Sequence, residues 1–214
     1  MHPRRFRHAT LLAAASLLAA CATPPPLASA GPVLVKVLAI NDFHGNLKPP
    51  PGGIRIADPA DAQKRINVPA GGVAAMATAL DSLRAKSPNT IFVAAGDLIG
   101  ASPLLSSLFR DEPTIEAMNL MGLEASAMGN HELDRGQAEL LRLQGGGCHP
   151  TEGCKGPQAF TGAKFQYLAA NTVVQATGKT LLPPYVVKRF DGIPVPFKVR
   201  PMKATGMPSK RFTT

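Results

Sequence analysis

Three short segments of this 214-residue chain carry the residue types that bind cations and move protons. Asp42 and His44 stand two residues apart in Asn41-Asp42-Phe43-His44-Gly45-Asn46-Leu47, and on an extended backbone that spacing sends both side chains to one side. Two such donors suit a single ion. Asp97 follows Gly96, a glycine that lets the backbone turn close beside a cation, and its carboxylate has two oxygens with which to bridge two ions. Asn130, in Gly129-Asn130-His131-Glu132-Leu133-Asp134, offers a neutral oxygen ligand with a histidine next to it. A donor set of oxygen and nitrogen without thiolate favours Mn, Zn, Fe or Mg. Taken singly, each segment also reads as a turn or a cap. His131 alone fits a helix-terminal histidine, Asp134 an N-terminal helix charge, and Glu132 a structural group rather than a catalytic one.

The elements that must position these residues alternate between strand and helix. Residues 33–40 form a continuous apolar run that reads as a buried strand ending at Asn41-Asp42. Gly71-Gly72 precedes a helix in which Val73, Met76, Ala77, Leu80 and Leu83 share a face. A second buried strand over 91–95 stops at Gly96-Asp97. Further on come a helix over 113–120, a strand over 126–129, a helix over 135–143 and a strand over 166–170. Residues 185–190 and 193–195, joined by Asp191-Gly192, read as a β-hairpin. This order implies an α/β fold with ligands outside the C-terminal strand ends, and all three donor segments close a strand.

The ordered set Asp-x-His, Gly-Asp and Gly-Asn-His-Glu, each at a strand end, resembles the calcineurin-like metallophosphoesterases. The words around Asp42 and Asn130 are similar to the bacterial 5′-nucleotidase branch, which includes UDP-sugar hydrolases and 2′,3′-cyclic phosphodiesterases. The resemblance covers residues 33–195. It implies the first half of a four-layer α/β sandwich and a site for two divalent metal ions. Asp42 and His44 would hold the first ion, Asp97 would bridge, and Asn130 would hold the second. His131 would stabilise the phosphate in the transition state, oriented by Asp134. The implied reaction is hydrolysis of a nucleotide or other phosphate ester, with activation of water and neutralisation of phosphoryl charge supplied by the metals. A relative acting on sulfur esters is a minor alternative. The resemblance also implies two further histidine-bearing metal segments and a base-stacking domain downstream of this stretch, so activity is expected to be impaired or absent in the chain as given. The competing reading is a non-enzymatic exported lipoprotein that binds divalent metal weakly at most.

Compartment is read from the two ends and the cysteines. Arg4, Arg5 and Arg7 precede an apolar stretch that ends at Leu18-Ala19-Ala20-Cys21. Residues 1–21 therefore read as an export signal with a lipobox, Cys21 as the lipidation site, and 22–32 as a Pro-, Ala- and Ser-rich tether. Ala22 after the cysteine points, by analogy with bacterial lipoproteins, to the periplasmic side of the outer membrane, with contact to the bilayer through the lipid alone. In such an oxidising compartment Cys148 and Cys154 read as a small-loop disulfide. The zinc alternative, adding His149, offers three donors without the usual spacing. The formal charge of +9 is a property of the ends. Lys198, Arg200, Lys203, Lys210 and Arg211 lie in a stretch with no acid, and without these five and the three N-terminal arginines 15 basic residues face 14 acidic ones. With aromatic residues at 5% and no Trp, little material remains for stacking bases, and nucleic acid is not an expected partner. Residues 196–214 form an atypical basic tail, read either as the result of a frame change or truncation near 195, or as a native tail for membrane or anion contact.

Overall fold

A central parallel sheet is built from four strands in the order β1-β4-β5-β6. The computed structural model describes residues 31–199. In chain order the elements are β1 (Lys36–Ile40), β2 (Ile54–Asp58), β3 (Asp61–Val68), α1 (Gly72–Arg84), β4 (Thr90–Ala94), α2 (Leu104–Ser107), α3 (Glu112–Leu120), β5 (Ala125–Ala127), a single 3₁₀ turn (His131–Leu133), α4 (Gly136–Gly145), β6 (Gln166–Leu168), β7 (Tyr185–Phe190) and β8 (Ile193–Lys198). The export signal, Cys21 and most of the tether fall outside the described residues, as do 200–214. No helix among the described residues is long and apolar enough to cross a membrane.

Strands that succeed one another in the sheet without reversing direction, joined by right-handed crossovers, place their connecting helices on one face. The core shows this. Leu80 of α1, Ile115 and Met118 of α3, and Leu140 and Leu143 of α4 are buried together with Phe92 and Ala94 of β4 and Tyr167 of β6. Leu38 and Ile40 of β1 pack against the same cluster. The opposite face is met by the β7–β8 hairpin, whose Phe197 shares a cavity with Val93, Ala125 and Leu168. Lys188 ties this hairpin to the sheet's N-terminal edge through Glu124 at 2.5 Å and the Thr90 carbonyl at 3.2 Å. The hairpin turn, Asp191-Gly192, has positive φ at both residues, the geometry that matches strand twist.

Several expectations shift. β1 starts at Lys36 and is an edge strand, not a buried one: its residues alternate in exposure and Val37 is 53% exposed, because among the described residues only β4 pairs with it. β5 and β6 end earlier than expected, and β8 runs on to Lys198, so the change in composition after 195 is not a break in secondary structure. The β2–β3 hairpin and the short α2 were not expected. The former turns at Pro59-Ala60, with Asp58 Oδ1 accepting from the Ala60 N–H at 2.9 Å.

Cys148 and Cys154 are joined by a disulfide, so neither sulfur is free for zinc, and His149 Nδ1 accepts from the Glu152 N–H at 3.2 Å. Glu152, inside this loop, pairs with Arg110 Nε at 3.0 Å. Arg142 of α4 extends the network to Glu112 at 2.7 Å, to Glu139 at 2.8 Å and to the Gly147 carbonyl at 2.8 Å. Closing so short a loop restricts the unfolded chain by about 2 kcal/mol. Reduction, or the Cys148→Ser/Cys154→Ser pair, is therefore expected to lower the melting temperature by about 4–8 °C. Thermal melts with and without reductant check this, and an unchanged midpoint would show that the bridge carries no stability.

Candidate active site

Parallel strands deliver their following loops to one edge, and a short run of backbone bonds locks two of those loops together. The Asp42 N–H donates to the Gly96 carbonyl at 3.2 Å, His44 N–H to Asp97 O at 3.0 Å, and Gly45 N–H to Leu98 O at 2.9 Å. The β1 and β4 loops thus continue to pair after the strands end. Candidate ligand atoms of Asp42, His44 and Asp97 all lie within 4.8 Å of one another, the one such cluster of His, Cys, Asp and Glu found among the described residues. The expected route to this convergence was wrong. Asp42, His44 and Asp97 have φ of 50°, 47° and 52°, left-handed rather than extended, at a cost of about 1–3 kcal/mol each. A turn, not strand alternation, brings Asp42 and His44 together.

The cluster fits a divalent cation. His44 Nδ1 lies 2.8 Å from the Gly100 carbonyl, a bond that fixes the proton on Nδ1 and leaves Nε2 as a ligand, 3.9 Å from Asp42 Oδ1. Asn41 Nδ2 donates to Asp42 Oδ2. On the β5 side, Gly129 packs against Asp97 so closely that a Cβ there would strike the carboxylate, and the His131 N–H donates to Asp97 Oδ1 at 3.0 Å. Asn130 sits exposed between these two residues.

His131 faces the cluster. Its ring lies edge-on to that of His44, with centroids 4.9 Å apart, and its Nδ1 is 2.6 Å from Asp134 Oδ2. The hydrogen bond from Asp134 raises the His131 pKa above its ordinary value, against a smaller opposing effect of burial, and the negative charges of Asp134, Asp97 and Glu132 add to the rise.

Glu132 is the hub beneath the site. Only 2% exposed, it accepts three backbone N–H bonds: from Leu98 at 2.9 Å on Oε1, and from Asp97 at 3.1 Å and Gly129 at 2.7 Å on Oε2. Burial pushes its pKa up, with the three N–H bonds opposing. The structural reading of Glu132 suits these contacts. Sequence reasoning missed the Gly100 carbonyl, and no sequence signal points to it; the structure gives this glycine a φ of 81° and no room for a Cβ against His131.

Residues 35–192 match the calcineurin-like phosphoesterase family. An uncharacterized protein of Acinetobacter calcoaceticus from the pqq-V 5′ region is 47% identical over 198 residues, covering 88% of this chain and 97% of that protein. Endonuclease YhcR of Bacillus subtilis is 35% identical over 165 residues, 77% of this chain and 13% of the relative. Among solved structures, the NAD nucleotidase of Haemophilus influenzae superposes with a TM-score of 0.58 at 27% identity, covering 76% of this chain and 25% of that one. The chain thus spans nearly the whole of the first relative and a quarter or less of the other two. With the strand-end carboxylates, the histidine pair and the parallel sheet that sets them, the chain belongs to the calcineurin-like phosphoesterase family.

Proposed function

We propose that this chain contributes the ligands and the phosphate-facing histidine of a two-metal phosphoesterase acting on nucleotide phosphate esters. The convergence of Asp42, His44 and Asp97 opposite the His131–Asp134 pair carries the reading. Asp42 and His44 would hold one ion, Asp97 would be shared, and Asn130 would serve a second. Bound there, the ions supply an acidified water and neutralise phosphoryl charge. His131, its Nδ1 proton held by Asp134, presents Nε2–H as a donor where negative charge gathers on the phosphate or its leaving oxygen. Glu132 keeps Asp97 and Gly129 in register while this happens.

Support for nucleotide esters comes from the NAD nucleotidase, a relative in fold and sequence. The competing reading, a metal-binding exported protein without turnover, draws on the exposure of Asp42, whose side chain is 56% accessible. Under either reading Cys21 is proposed to carry the lipid anchor on the periplasmic side of the outer membrane, from the lipobox sequence alone.

Phosphate release from AMP and from bis(p-nitrophenyl) phosphate by the purified chain, with added Mn²⁺ and with chelator, separates the two. Metal-dependent release is expected. Mn²⁺ binding without any release would leave the non-enzymatic reading standing.

A further inference from the structure

The short helix α2 inverts the usual placement of side chains. Leu104 and Leu105 stand in solvent, 71% and 41% exposed, as does Leu108 just after the helix, while the one residue that α2 buries is Ser106. A helix held by hydrophobic burial does the opposite. A single turn is also too short to be stable by itself, so α2 depends on contacts from outside, and what it sends inward is a hydroxyl.

Ser106 Oγ donates to the Gly45 carbonyl at 2.6 Å. Gly45 follows His44 directly, and its backbone is left-handed at φ 61°. The approach is close: a Cβ on Gly45 would lie 2.8 Å from the Ser106 Cβ, so the contact suits a small side chain at 106, and serine is a small one with a good donor. On its other side Ser106 is tied to the core. Its carbonyl accepts from the Asp111 N–H at 2.9 Å, at the start of α3, whose Ile115 and Met118 are fully buried. The remaining hydrogen bonds that reach residues 42–45 from outside their own loop, among the described residues, end on Gly96, Asp97, Leu98 and Gly100. All four belong to the β4 loop, which itself carries Asp97, so these bonds fix the two ligand loops to each other. Ser106 adds a point of attachment outside both.

Resting on the two-metal reading above, we propose that Ser106 is a positioning residue for the first ion: by holding the Gly45 carbonyl it sets where His44 presents Nε2 beside Asp42 and Asp97. The hydroxyl touches neither ion nor substrate and acts through the backbone of one intervening residue. The rival account makes Ser106 an anchor for α2 alone. Losing the hydroxyl would then lower stability and leave the ligand atoms where they are.

Mn²⁺ affinity, measured by calorimetry in the purified chain, in Ser106→Ala and in Ser107→Ala, separates the two accounts. Ser107 is the control, since its hydroxyl reaches no further than the Leu104 carbonyl at 3.4 Å. In Ser106→Ala the affinity is expected to fall about tenfold, the lower end of the losses typical of groups that support a metal ligand. Phosphate release from AMP at limiting Mn²⁺ should fall with it and recover at saturating Mn²⁺. The melting temperature of the metal-free protein should drop by only about 2–4 °C, because the Gly45 carbonyl keeps the Leu47 N–H at 2.8 Å and is not orphaned. Ser107→Ala should bind Mn²⁺ as the parent does. Unchanged affinity in Ser106→Ala, or an equal loss in Ser107→Ala, would overturn the proposal. If the parent chain binds no Mn²⁺, the two-metal reading falls, and the tautomer of His44 in the metal-free protein, read from its ¹⁵N shifts, decides for Ser106. A proton fixed on Nδ1 in the parent and shared between both nitrogens in Ser106→Ala supports the positioning role, and the same tautomer in both removes it.

Discussion

Replacing His131 with alanine lowers metal-dependent phosphate release by about 10²–10⁴-fold, the range for a lost proton donor in a transition state, and leaves the fold in place. The side chain sits at the surface of the site, 29% exposed, and its contacts are Asp134 and the edge of the His44 ring. None of these supports the core. A fall in kcat with an unchanged melting temperature is the expected pattern, whereas a parallel loss of stability would recast His131 as structural. The pH profile tests the pair as a unit. Because Asp134 raises the pKa of His131, the donor form persists to higher pH than an unassisted histidine would allow. Asp134→Asn removes the main cause of that rise, so the alkaline limb of the rate profile should move to lower pH. A limb that stays put, or moves up, would separate Asp134 from the titration.

Glu132→Ala attacks the site from beneath, and its effect is on stability first. Three backbone N–H groups, from Asp97, Leu98 and Gly129, lose their acceptor at once. Leaving buried donors unpaired costs about 1–3 kcal/mol each. Removing a buried charge and admitting water return part of that, so a net loss of about 3–5 kcal/mol is expected, comparable to breaking a buried ionic contact. At about 2–4 °C per kcal/mol for a chain of this size, the melting midpoint should drop by roughly 10 °C. Gln at this position keeps one acceptor oxygen but turns an amide N–H toward the donors, and is expected to recover little. The sign with pH follows from the raised carboxyl pKa. Folding disfavours the charged form, so the group contributes most below the ordinary glutamate range and less as pH rises through its folded value. The advantage of Glu over Gln should therefore narrow toward neutral pH. Melts of both variants at several pH values decide it, and a shift under about 3 °C would remove Glu132 as the hub.

Why some of this was legible in sequence and some was not comes down to range. Asp42, His44, Asp97, His131 and Asp134 announce themselves through side-chain type and through apolar runs that stop beside them, both local properties. The hairpin at Asp191-Gly192 is equally local, since two residues with positive φ are enough to specify it. The left-handed backbone at Asp42, His44 and Asp97 is not local: Asp and His enter this region more readily than most residues, but here it is held by N–H bonds across to the neighbouring loop. β2 and β3 escaped because β2 is only five residues long, Lys64 interrupts the alternation of β3, and their pairing is chiefly with each other. The half-exposed face of β1 escaped because an apolar run cannot say whether it lies at the edge or the centre of a sheet.

The order of strands in the sheet has a bearing on how the chain folds. β1 pairs with β4 across the intervening β2, β3 and α1, Lys36 meeting Thr90, while β4 meets β5, and β5 meets β6, over shorter stretches of chain. Loop closure over the longest stretch carries the largest entropic cost, which places the docking of β1 late. Two of the three clustered donors, Asp42 and His44, arrive with that strand, and the third waits on β4. A partly folded chain therefore presents no assembled cation site, and an ion captured by the finished cluster stabilises the native state alone. An ion bound there would act as a latch that engages only after that strand has docked.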